Sequence, residues 1–197
     1  PVICINIGIN SRPKSNIKDL TIIPHPRNNA CVMKSTEFKT NVMRTLDAHH
    51  IQYRHYSYAD TPALSGVDVA TTLGQNPHQV FKTLVTVARS NKYYVFMIPV
   101  CNELDLKKAA LAVGEKSVSM LPQRELLALT GYVHGGCSPI GMKKQFQTVA
   151  DSSAQNFPTI IFSAGKIGYQ VDVAPSELQR IIPLRFADIC TTTGVDN

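Results

Sequence analysis

The chain has 197 residues, of which 44% are hydrophobic and 17% charged, and its formal net charge is +6. That length suits one sizeable globular domain and is short for two, and no apolar run approaches the roughly 18 residues of a membrane span. The five cysteines (Cys4, Cys31, Cys101, Cys137, Cys190) are odd in number and form no CxxC, so neither a disulfide framework nor a structural zinc site is indicated. A reducing, cytoplasmic setting is the expectation. The charge is uneven: Arg12, Lys14, Lys18 and Arg27 against Asp19 give residues 1–32 a charge of +3, half of the total. The rest is mildly basic, which permits a nucleic-acid partner without demanding one.

Residues 1–32 are turn-rich and lack sustained periodicity, so they read as a disordered or non-native extension. Met33 then looks like an ordinary start, and residues 33–197 read as one α+β domain. In STEFKTNVMRTLDAHH, Phe38, Val42 and Leu46 recur at helical spacing. IQYRHYSY is strand-like. SGVDVATTLG has a Ser65 cap and a closing Gly74, a short helix. NPHQ offers Asn76 as cap, Pro77 at the first helical position and Gln79 reaching back. FKTLVTVA and KYYVFMIPV predict two strands joined at residues 89–91. DLKKAALAVG is a helix between Asp105 and Gly114, and PQRELLALTG another between Pro122 and Gly131. YVHGG, FQTVAD, TIIFSAG and IGYQVDV predict strands, and PSELQRII a helix opened by Pro175. Late strands that follow one another directly argue for a mixed sheet.

The stretch GGCSPIGMKK (Gly135–Lys144) admits three readings. A phosphate loop fails, because Met142 stands where lysine should be, no Ser or Thr follows, and Pro139 interrupts. A cysteine nucleophile needs a base, and on an extended segment His134 and Cys137 would point to opposite faces; Cys137 reads better as a small buried residue. The third reading is architectural: Gly135 and Gly136 let backbone N–H groups face a ligand oxygen, and SAGKIG (Ser163–Gly168) repeats the idea in a second small-residue loop. Lys107–Lys108 and Lys143–Lys144 are solvated surface or phosphate contacts, and the tyrosines at 53, 56, 93 and 94 are most simply sheet packing.

HQVFKTLV, NELDLKKAALAVG, GYVHGGCSPIG and SAGKIGYQVDVAPSEL, in this order and spacing, resemble the YbaK/EbsC family. These are freestanding aminoacyl-tRNA deacylases related to the editing domain inserted in bacterial prolyl-tRNA synthetases. The match runs from about Lys34 to Cys190, leaving residues 1–32 outside. The resemblance implies a mixed-sheet, barrel-like core surrounded by helices, no cofactor and no metal. It implies an aminoacylated tRNA acceptor end as substrate, prolyl-tRNA synthetase as a candidate partner, and no membrane. It places Lys82, Gly135 and Gly136 in catalysis, and Tyr58, Thr83, Ser163, Ala164 and Gly165 at the substrate. Some relatives carry an aspartate where this chain has Gln170; Asp172, two residues on and on the same strand face, is the nearest carboxylate. The implied activity is removal of cysteine from Cys-tRNA(Pro), with the substrate's own thiol cyclising on the ester. Hydrolysis of Ala-tRNA(Pro) by an activated water is the close variant. A non-enzymatic tRNA- or nucleotide-binding regulator is the reading from another class.

Overall fold

A strand with no polar position on either face has to be covered on both sides, and Tyr93–Pro99 (YYVFMIP) is such a strand. In the computed structural model, which describes residues 38–61 and 65–191, it is the middle strand of a five-stranded sheet. All described residues belong to one unit spanning Phe38–Asn197. The expected extension 1–32 and the start at Met33 lie outside the described residues.

The elements in chain order are α1 (Asn41–Ala48), β1 (Arg54–Ser57), α2 (Gly66–Thr72), β2 (Phe81–Ala88), β3 (Tyr93–Pro99), α3 (Leu106–Ala112), β4 (Val118–Met120), α4 (Gln123–Thr130), β5 (Gln147–Asp151), β6 (Ile160–Ser163), β7 (Tyr169–Val173), α5 (Pro175–Leu178) and β8 (Leu184–Ala187). A 3-10 turn, Ser152–Asn156, lies between β5 and β6. The larger sheet has the order β4-β2-β3-β5-β8, antiparallel as far as β3 and parallel beyond it. The smaller is antiparallel, with the order β1-β7-β6. The expected α+β class with a mixed sheet is therefore found. The described strands pair into two sheets and not into one closed barrel.

Alternation along β3 divides the core. Val95 and Met97 join the main cluster with Val42, Leu46, Phe162 and Val171. Tyr94, Phe96 and Ile98 turn to the other side, against Ala109 and Ala110 of α3 and Ile189. Local signals account for the helix ends. The Thr40 side chain accepts from the Met43 N–H, Ser65 and Asp68 form a reciprocal capping box, and Asp105 accepts from the Lys107 and Lys108 N–H groups. Gly131 closes α4 at φ 85°.

Four expectations need correction. Phe38 is not on α1; it is half exposed and its ring stacks on Tyr169 at 4.8 Å, because the Thr40 cap starts the helix after it. NPHQ makes a turn and not a helix: the Asn76 side chain accepts from His78 N–H, while the Gln79 amide reaches across to Thr159 instead of back. YVHGG is not a strand. Thr130 Oγ1 takes the Tyr132 N–H, Gly135 adopts φ 80° and the Gly136 N–H closes on Val133 O at 3.1 Å, so turn chemistry overrides the apolar Tyr-Val pair. Two short strands, β4 and β8, were not expected; each is an edge strand specified by its neighbour.

Asp151 pins the end of the larger sheet. It is buried, and one oxygen accepts from Ser153 N–H while the other accepts from Ile189 N–H at 3.1 Å. Burial alone would raise its pKa, but the hydrogen bonds from Ser153, Ile189 and Cys190 outweigh it and hold the carboxyl below its ordinary value. A depressed folded-state pKa contributes stability that is complete above the unfolded value near ~3.9 and is lost as pH falls through the lower folded one. Asp151→Ala should cost about 2–4 kcal/mol in chemical denaturation, because it strands buried N–H donors. Asp151→Asn should cost less and flatten the loss of stability below about pH 4.

Candidate functional site

β7 is the centre of the smaller sheet, and its alternation sorts its residues cleanly. Val171 and Val173 enter the main core. Gln170 and Asp172 point to the opposite face, where α2 lies, and each is only 6% exposed. Strand register then builds rows across the sheet. Tyr56 of β1 pairs with Gln170, which pairs with Ser163 of β6. The next row is Arg54, Asp172 and Ile161. β2 begins beside β6: Val80 bridges Ile161 in the parallel sense, and Ile161 N–H donates to Gln79 O at 2.9 Å. Counting two residues on along each strand sets Lys82 level with Ser163 on this same face.

The polar groups of this face are linked. Tyr56 Oη donates to Asp172 Oδ2 at 3.3 Å, and Gln75 Nε2, just after α2, donates to Gln170 Oε1 at 3.1 Å. Burial raises the Tyr56 pKa, and the neighbouring Asp172 charge adds to this against the opposing pull of Arg54. Asp172 Oδ1 and Gln75 Oε1 are buried without a hydrogen-bond partner among the described residues. Tyr58 lies beyond β1; its N–H donates to Gly168 O at 2.8 Å and extends the pairing, so alternation puts its ring on the Tyr56 side.

Lys82 is partly buried, and its Nζ donates to Glu103 Oε1 at 3.0 Å. The lysine is thus held by a carboxylate that is itself 79% exposed, at the edge of the face and not deep within it. Thr83 points the other way, with Phe81 and Val85, and its buried Oγ1 has no partner among the described residues. Ala164, fully buried in the main core next to Ser163, is likewise set apart from the Lys82 face.

The two small-residue loops meet each other. A Cβ on Gly136 would stand 3.3 Å from Ile167 N. One on Gly165 would stand 2.8 Å from Val42 and 2.9 Å from Tyr132, and φ there is 82°. The glycines therefore allow loop to pack on loop and on α1. Ala164 N–H donates to Tyr169 O, Gly165 N–H to Ser163 Oγ and Gly136 N–H to Val133 O. Gly135 is exposed, and its N–H makes no hydrogen bond within the described residues.

Tyr56, Gln75 and Glu103 were not singled out from sequence as site residues. Tyr56 reads as sheet packing until register shows it opposite Gln170, and Gln75 and Glu103 carry no motif at all. The lysine pairs prove to be partly structural. Lys108 Nζ donates to both Asp188 oxygens and to Cys190 O, and Lys143 Nζ lies 3.3 Å from the Leu127 and Ala128 carbonyls at the end of α4. Among the described residues there is no group of three His, Cys, Asp or Glu side chains suited to a metal, and no helix long and apolar enough to cross a membrane.

Comparison with known proteins bears on this face and its loops together. Residues 61–181 match the aminoacyl-tRNA editing domain. A protein of Enterococcus faecalis, whose name by inference is Cys-tRNA(Pro)/Cys-tRNA(Cys) deacylase EbsC, is 46% identical over 159 residues, 80% of this chain and 97% of that protein. A proline–tRNA ligase of Shouchella clausii is 31% identical over 117 residues, 58% of this chain but 20% of the ligase. A solved structure described as a trans-editing enzyme for prolyl-tRNA synthetase has the same fold, with a TM-score of 0.66 at 23% identity, covering 77% of this chain and 95% of its own.

Cysteine environments give a direct check. Burial pushes the Cys137 thiol up to about 12, and burial with the adjacent Asp151 pushes Cys190 up to about 12. Cys101 is exposed, with its Sγ 3.3 Å from His78 Nδ1. A thiol raised that far is almost wholly protonated at pH 8. Alkylation of the native protein at pH 8, read peptide by peptide in a mass spectrometer, should label Cys101 at least ~100-fold faster than Cys137 or Cys190. Rapid labelling of Cys137 would restore it as a nucleophile.

Proposed function

The chain belongs to the aminoacyl-tRNA editing domain family, and on that premise we propose that it is a trans-acting aminoacyl-tRNA deacylase whose preferred substrate is Cys-tRNA(Pro). The observation that carries the reading is a polar face, Lys82, Ser163, Gln170, Asp172 and Tyr56, with small-residue loops at its side and no activated nucleophile among them. Support also comes from the deacylase name of the Enterococcus faecalis relative.

A site of this kind suits a substrate that brings its own reactivity. The aminoacyl ester is already activated. In Cys-tRNA(Pro) the substrate thiolate attacks its own carbonyl carbon. A C–S bond forms, the C–O bond to the ribose breaks, and the 3′-oxygen leaves with the electron pair and takes up a proton. The strained thiolactone is then opened by water in solution. The protein's part is to hold the reactive conformer and to meet the developing oxyanion with a donor. In this proposal Gly135 N–H is that donor, and Gly136 sets its geometry through the Val133 turn. Lys82 takes a terminal phosphate or the oxyanion, exchanging Glu103 for it. Ser163, Ala164, Gly165 and Gln170 wall the pocket, Tyr58 closes its outer side, and Thr83 supports it from the core face. A prolyl-tRNA synthetase partner would supply the tRNA selectivity for which a small, mildly basic domain has little surface.

Deacylation of Cys-, Ser-, Ala- and Pro-charged tRNA(Pro) tests the reading. Fast Cys and slow Ser release is expected, because a thiol near pKa ~8.5 is partly ionised at neutral pH and a hydroxyl is not. Equal rates for Cys, Ser and Ala would favour an activated water instead. Lys82→Ala should lose about 100-fold in kcat/KM while melting near the wild type, since a charge-assisted contact of ~2–3 kcal/mol disappears and no core cavity opens. Glu103→Gln should keep activity or raise it, because it releases Lys82 to the substrate; a loss as large as that of Lys82→Ala would mean that the ion pair itself is what matters.

A further inference from the structure

Two buried acceptor oxygens, Asp172 Oδ1 and Gln75 Oε1, have no hydrogen-bond donor among the described residues. An orphaned buried acceptor is costly, and a carboxylate oxygen more so than an amide. Asp172 is 6% exposed. Its other oxygen is fixed by Tyr56 Oη, so the carboxylate cannot simply rotate its deficit away. Gln75 is likewise fixed through Nε2 to Gln170, whose position on β7 is two residues before Asp172 on the same face. Both orphans are acceptors, so what they lack is a donor: the neighbouring Arg54 guanidinium acts on Tyr56 and leaves Asp172 Oδ1 unmet. Arg54 is Asp172's partner across the strands, but its side chain is exposed and no ion pair joins them.

We propose that Asp172, with Gln75 as second acceptor, is the subsite for the α-ammonium group of the aminoacyl ester. The proposal rests on the deacylase reading above and specifies the chemical feature that the site recognises. An ammonium brings three donors and a positive charge, which is what one carboxylate oxygen and one amide oxygen on a shared face can use. A single carboxylate with neutral amides is too few hard ligands for a divalent cation. The row geometry also fits. Asp172 lies one row from Gln170 and Ser163, so an ester held beside Ser163 and Lys82 would have its α-nitrogen within a few ångströms of the ester carbonyl and directed along the strand towards Asp172. Gln75 and Tyr56 are the partly exposed members of the cluster, and a rotamer change at Gln75 opens the way in. Recognition of the ammonium would exclude peptidyl-tRNA and N-formylated initiator tRNA, whose ester is the same but whose nitrogen is acylated.

The test compares Cys-tRNA(Pro) with N-acetyl-Cys-tRNA(Pro), which keeps the ester and the thiol and removes the ammonium. Wild type should prefer the free-amine substrate by about 10- to 100-fold in kcat/KM. Asp172→Asn should lose about that factor on Cys-tRNA(Pro) and change the acetylated substrate less than about threefold. Gln75→Leu, which leaves the sheet untouched, should narrow the preference by a smaller factor. Equal losses on both substrates in Asp172→Asn, or an unchanged preference in folded Asp172→Asn and Gln75→Leu, would overturn the subsite. If wild type turns over neither substrate, the deacylase reading falls, and the subsite is judged by NMR titration with cysteine methyl ester and its N-acetyl derivative. Shifts at the Gln75 and Gln170 side-chain amides with the free amine alone support it; the same shifts with both, or with neither, overturn it.

Discussion

Everything at the candidate site depends on the alternation of one strand held between two others. β7 is bonded on both edges, so its register is fixed twice, by β1 and by β6. Val171 and Val173 are fully buried in the main core. A slip of one residue would send those valines towards α2 and bury Gln170 and Asp172 among Phe162, Met97 and Leu46, an arrangement the apolar core would not tolerate. The hydrophobic half of β7 therefore places its polar half. The same constraint carries to Tyr56, Ser163 and, through the Val80–Ile161 bridge, to Lys82.

The loops are held by the complementary device, the absence of side chains. Gly165 is pressed against Val42 and Tyr132, and Gly136 against the backbone of Ile167. Tyr132 joins these contacts: its hydroxyl donates to Ile140 O at 2.6 Å, and burial pushes its pKa up to about 12, so it stays a neutral donor across the accessible pH range. The turn Val133–Gly136 is thus anchored at Tyr132 behind it and at Ile140 in front. This makes the glycine loops a rigid wall first. In the proposed reaction that packing would hold Gly135 N–H in one direction, with no reorganisation needed.

Much of this was legible in the sequence. Capping residues gave Ser65, Asp105, Pro122 and Gly131 their helix ends, since caps act within a few residues. The apolar run of β3 announced a strand, and its burial on both faces came from the structure. What was not legible depends on partners far along the chain. Glu103 reaches Lys82 across 21 positions, and Tyr56 reaches Asp172 across 116. β4 and β8 are strands only because β2 and β5 are beside them. YVHGG misled for the opposite reason. Its apolar pair suggested a strand, but Thr130, two residues before Tyr132, had already claimed the N–H a ladder would need.

The position of Lys82 joins these threads. A lysine on a strand whose other face is core would be expected to need a negative partner, and it has one in Glu103. That partner is mostly exposed, so the pair contributes little to stability and is readily exchanged. The buried acceptors at Asp172 and Gln75 are the reverse case: they are deep and carry an unmet demand. A site that keeps a replaceable anion beside its cation at the rim, and unsatisfied acceptors inside, is complementary to a ligand that is negative at one end and positive at the other. An aminoacyl ester on the terminal ribose of a tRNA has that polarity, with phosphate on one side of the ester and ammonium on the other. The electrostatic ordering of the face thus supports the same substrate class as the family relationship, and it does so from groups that the motifs do not contain.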